Sequence, residues 1–179
     1  MPLSRHKPAR WEPQVPVVTT TELPFFAGVD DDEQPVFESI KVEFVDPARD
    51  VVRLLHSPVF VRNLASGDHV RVVNPATAEY ELERRSGNLC VRVMRKEGVD
   101  RIAEDLIPAL EKLGGQLDVR SDRALIFSIH VSIGFPAIEE LLNGHCGRHQ
   151  GAAWYYGNVY DPSDGITPLL WWQDFARQD

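Results

Sequence analysis

The stretch NGHCGRHQGAAWYYGN, residues 143–158, sets His145, Cys146, Arg148 and His149 close together and follows them with three aromatic residues. Imidazole and thiolate are zinc donors, which makes His145, Cys146 and His149 the candidate metal ligands of the chain. The spacing lacks the paired C-x-x-C or H-x-x-x-H of a closed site, and a fourth ligand would have to come from a distant segment. No metal and no cofactor is therefore expected. Cys146 is also a candidate nucleophile beside His145. Sequence neighbours point apart, however, and a catalytic cysteine usually meets its base through the fold.

A second constellation depends on how strands assemble. NLCVRVM, residues 88–94, alternates Leu89, Val91 and Val93 with Cys90, Arg92 and Met94, the signature of a strand with two different faces. A helix follows, with Asp100 as N-cap, a stripe of Ile102, Leu106, Leu110 and Leu113, and a stop at Gly114–Gly115. Pro108 inside it predicts a kink or a break. QLDVR and ALIFSIHV then form a hairpin whose second strand turns Leu125, Phe127, Ile129 and Val131 inward. A second helix begins at Pro136, buries Ile138, Leu141 and Leu142, and stops at Asn143–Gly144, and AAWYYGNVY reads as a last strand. The order β-α-β-β-α-β over residues 87–160 is the ferredoxin-like arrangement, with two helices on one face of a four-stranded sheet. Its first and third strands are antiparallel neighbours. That places Cys90, Arg92, Ser128 and His130 on the face away from the helices, where imidazole and guanidinium would favour a reactive thiolate. Burial of Cys90 as a small hydrophobe under the N-terminal segment is the competing reading.

Before this half, residues 41–86 show short alternating or β-branched runs, KVEFV, VVRLL, PVFV, DHVRVVN and AEYELER, separated by the turn-formers ASGD and NPAT. They predict a small antiparallel meander or open barrel, so the fold class is α+β. Residues 1–40 carry six prolines and the acidic knot DDDE at 30–33, which suits an extended arm docked by Trp11, Phe25, Phe26 and Phe37. Residues 161–179 form an aromatic tail. Its doublet Trp171–Trp172 either packs back on the body or anchors a partner or a second copy of the chain.

KVEF at 41–44 and SPVFVRNLASGDHVRVV at 57–73, ahead of a ferredoxin-like half, resemble the uncharacterised bacterial family catalogued as domain of unknown function 4265. Pro58, Phe60, Gly67, Asp68 and Val70 carry the match, which spans about residues 41–160. The resemblance implies the fold and supplies no catalytic residues, because that family has no assigned activity.

The balance of charge is acidic, 27 Asp and Glu against 19 Lys and Arg, for a net charge of −8. That opposes a broad phosphate-binding surface and suits a basic protein partner. No apolar run has signal-peptide or membrane-spanning character, and the two cysteines read as free thiols, so a cytoplasmic location is expected, with neither nucleic acid nor membrane as partner. The nucleophile-elbow, P-loop, zincin and dinucleotide motifs are all absent. Two functions remain. The first is a non-catalytic binding or protein-interaction module, such as an immunity or regulatory protein. The second is a thiol-dependent enzyme working through Cys90 and His130 or through the 145–149 loop.

Overall fold

Period-two alternation of apolar residues carries the chain through an antiparallel meander, β1 (Thr20–Val29), β2 (Pro35–Asp46), β3 (Val51–Leu54), β4 (His69–Asn74) and β5 (Glu79–Arg84), paired in sequence order. The computed structural model describes residues 18–176. Phe25, Ile40, Val42, Val52, Leu54 and Val70 point to one side and form a core. Phe25 on β1 meets Tyr80 on β5 edge to face, with ring centroids 5.0 Å apart, so the sheet curls until its two outer strands approach over that core. The hairpin β1–β2 replaces much of the arm expected over residues 1–40. LPFFAGV and PVFESI alternate and pair with each other, and Asp30 closes the turn between them by accepting the N–H groups of Asp32 and Gln34. Trp11 and the first four prolines lie outside the described residues.

PVFV, expected as a strand, belongs instead to an irregular segment, residues 55–68, between β3 and β4. Its N–H groups are satisfied by a side chain. The Glu38 carboxylate accepts from Val59 at 2.6 Å, Phe60 at 2.8 Å and Val61 at 3.0 Å. Val61 and Leu64 fill the meander core, while Val59 and Ala65 pack on the next sheet, so the segment is a wedge between two units.

The second unit runs β6 (Asn88–Met94), α1 (Val99–Leu113), β7 (Gln116–Arg120), β8 (Ala124–His130), α2 (Phe135–Cys146) and β9 (Ala153–Tyr156). Its antiparallel sheet has the order β7-β8-β6-β9. Leu89, Val91, Val93, Leu125, Phe127 and Ile129 meet Ile102, Leu106, Leu110, Ile138 and Leu142 of the helices in the main core. Three local expectations are corrected. Gly98, in a left-handed conformation, is the N-cap of α1, and Asp100 instead pairs with Arg120 at 2.5 Å. Pro108 does not break α1, because Glu104 and Pro108 both face solvent, where water can reach the carbonyl that the proline leaves without a donor. The last strand stops at Tyr156, four residues before the end of AAWYYGNVY.

Two junctions tie the units. Asp68, fully buried, accepts from Ala65 N at 3.0 Å and Ser86 N at 2.8 Å and lies 3.6 Å from Arg85. The tail, ending in α3 (Gln173–Ala176), docks on the body. Trp171 donates to the Asn158 carbonyl at 2.7 Å and packs under Arg85, Trp172 packs on Phe135, and Phe175 on His130. Both indoles of the doublet are half-buried on the chain's own body.

Candidate site at the sheet face beneath the wedge

The face of β6 and β8 turned away from the helices holds three of the residues that the strand order brings together. Cys90 stands directly across from Ser128, and Arg92 follows two residues later on β6. All three are buried, with Arg92 2% exposed. The wedge covers them and adds Ser57, and β7 adds Asp118. Asp118 accepts from the Ser57 N–H at 2.7 Å and from the Ser128 hydroxyl at 3.1 Å, and burial raises its pKa. Ser57 and Asp118 had no signal in the sequence. Ser57 lies in the short connection between the runs VVRLL and PVFV, and Asp118 joins the group only through a hairpin register.

His130 is not part of this group. It pairs across from Asn88, its Nδ1 is 2.8 Å from the Ser132 hydroxyl, and its ring meets Phe175. Gly87 allows this approach: at φ +90°, an added Cβ would lie 2.4 Å from His130 Nε2. The Cys90 sulfur instead lies 3.7 Å from the Pro58 carbonyl oxygen. Burial pushes its pKa up to about 11 against the pull of Arg92, so the thiol stays protonated at neutral pH. The expected thiolate is corrected by desolvation.

The 143–149 cluster is corrected as well. α2 continues to Cys146, so His145 and Cys146 sit in its last turn and His149 in the turn beyond. Cys146 enters the main core, where burial raises its pKa, while the His145 ring lies beside Arg148 on the outer side. Among the described residues, no group of three or more His, Cys, Asp or Glu side chains is placed to hold a metal ion.

Arg92 gives the buried face an opening. Its Nε donates to the Pro58 carbonyl at 3.2 Å and its Nη2 to that of Val61. Arg92 also lines a cleft of about 560 Å³ at the edge of β9, together with Phe60, Tyr155, Tyr156 and Tyr160 and bordered by Arg62 and Asp161. Gly157 leaves room for this arrangement. A Cβ there would come within 2.8 Å of the Cys90 sulfur and 3.0 Å of the Arg92 guanidinium carbon. A larger groove of about 780 Å³ lies on the other side of Phe60, where Arg95 is occupied by the Gln150 and Gly98 carbonyls and no buried charge is presented.

A protein described as a hypothetical protein from Neisseria gonorrhoeae has a crystal structure similar to this chain. The TM-score is 0.59 at 15% identity, covering 78% of this chain and 94% of the other, a likeness of fold alone. None of the curated proteins matches. Residues 38–155 match the family described as Domain of unknown function (DUF4265), a span that contains the Glu38-pinned wedge, the Asp68 junction and Arg92. The chain is therefore a member of the DUF4265 family.

Proposed function

We propose that this protein is a non-catalytic binding or protein-interaction module, cytoplasmic and regulatory in character, whose recognition surface is the cleft at Tyr155. The observation that carries this reading is the cleft itself. About 560 Å³ of concave space is lined by four aromatic residues, Phe60, Tyr155, Tyr156 and Tyr160, at the seam where the wedge meets β9, and the thiols lie sealed outside it. Ligand sites favour such concavities with aromatic walls and few polar groups. Phe60 is 61% exposed although it stands on a segment held by three hydrogen bonds to Glu38, so a rigid backbone presents an aromatic side chain to solvent. Such preorganised aromatics are enriched in binding hot spots. The strand order β7-β8-β6-β9, with α1 and α2 packed on one face, supports a ferredoxin-like arrangement for the second unit. Two unbridged, buried cysteines suit a reducing compartment.

Labelling of the native protein with a small alkylating reagent at neutral pH tests the choice between binding and thiol chemistry. Slow modification of both cysteines, speeding up only in denaturant, is the expected outcome. Rapid and selective modification of Cys90 would restore the enzymatic reading.

A further inference from the structure

We infer that the cleft binds a small aromatic carboxylate, its acid group held by Arg92 and Arg62 and its ring seated among Phe60, Tyr155 and Tyr160. This rests on the reading of the cleft as a binding site and specifies the chemistry that it recognises.

The inference begins with a buried charge. A guanidinium removed from water needs compensation, usually from a carboxylate. Among the described residues no carboxylate lies within ion-pair distance of Arg92. The Pro58 and Val61 carbonyls occupy Nε and Nη2, and Nη1 makes no hydrogen bond to any described residue. The neighbouring thiol is neutral and supplies no negative charge. Asp118 shares the sheet face but is committed to Ser57 and Ser128. Asp161, at the border of the cleft, has its Oδ1 occupied by the N–H and hydroxyl of Ser163. Arg62 brings a second positive charge to the same border, where it donates to the Pro162 carbonyl at 3.1 Å. A chain of net charge −8 thus carries a local excess of positive charge in this cleft.

The shape adds the rest. A planar guanidinium matches a planar carboxylate, and the volume falls in the range of small-molecule sites, about 300–1,000 Å³. Arg92 lies 5.8 Å from the Tyr155 ring centroid, so the cation and an aromatic wall are already adjacent.

Three probes of nearly equal shape separate the possibilities: benzoate, neutral benzamide and cationic benzamidine, titrated into the full chain with backbone amide signals followed by NMR. Benzoate is expected to shift the signals of Arg62, Tyr155 and Gly157 saturably, with the other two at least about tenfold weaker, the factor associated with a charge-assisted hydrogen bond. Arg92→Met and the exposed Arg62→Gln should each weaken benzoate about tenfold. Arg62→Gln keeps the test valid if Arg92→Met fails to fold. Equal binding of benzamide or benzamidine at these signals overturns the carboxylate and leaves the binding cleft standing. Benzoate binding that both variants leave unchanged likewise overturns it. If no probe shifts these signals up to its solubility limit, the cleft reading itself falls.

Discussion

At Cys90 burial outweighs an adjacent positive charge, with a measurable consequence for stability. The thiol titrates at about 11 in the folded chain against 9.0 ordinarily. A folded-state pKa above the unfolded value contributes stability that is complete below pH 9 and lost as pH rises through 11. Urea titrations should therefore show stability falling between about pH 9 and 11, by on the order of 2 kcal/mol more in the parent than in Cys90→Ala. Parallel pH profiles for the two proteins would contradict the buried thiol. At Asp68 burial likewise raises the pKa against Arg85, yet both carboxylate oxygens are bonded. Asp68→Ala strands the Ala65 and Ser86 donors and removes the partner of Arg85, at an expected cost of about 3–5 kcal/mol in chemical denaturation. The Gly67–Asp68 pair was legible as a turn. Its hydrogen bonds to Ser86, 18 residues onward, were not, because local propensity carries no information about distant partners.

Whole elements follow the sequence where periodicity is strong. The stripe Ile102, Leu106, Leu110 and the inward set Leu125, Phe127, Ile129 are buried as their spacing requires. Pro108 shows that a strong stripe overrides a local breaker. The helix keeps its apolar face on the sheet and places the proline on the solvent side. The missing backbone bond should still be costly, so Pro108→Ala is expected to stabilise the protein by about 1–3 kcal/mol, read from the urea midpoint at unchanged slope. A neutral or destabilising result would mean that the helix has relaxed fully around the ring. The same reasoning explains the PVFV misreading. β-branched and aromatic residues satisfy the strand pattern, yet Glu38 takes up their N–H groups before a neighbouring strand can.

At the scale of the molecule, the C-terminal aromatics cover the core of the second unit and reach Arg85, the ion-pair partner of Asp68. Trp171 rests on Arg85 and Asn158, Trp172 on Phe135, and Phe175 on His130 and Trp171. Deleting residues 168–179 is expected to lower the stability of the monomer by about 3 kcal/mol or more, the scale of losing one large aromatic side chain from a packed site. A truncated chain that melts with the parent, and that loses a dimer instead, would make the tail an interface between copies.

The sequence by itself determined the α+β class, the meander followed by a β-α-β-β-α-β unit, the faces of its strands and helices, and the kinship carried by Pro58, Phe60, Gly67, Asp68 and Val70. Each of these is encoded by neighbours within about one turn or one hairpin, where periodicity and turn chemistry act. Tertiary structure alone decided which side chains share a site. Ser128 and Ser57 meet at Asp118 from three separate segments, Arg92 reaches the Pro58 and Val61 carbonyls, and His130 turns aside to Phe175. It also decided the chemistry, because the protonation of Cys90 and the burial of Arg92 with no ion-pair partner among the described residues come from the wedge lying over that face, and burial is a property of the assembled chain.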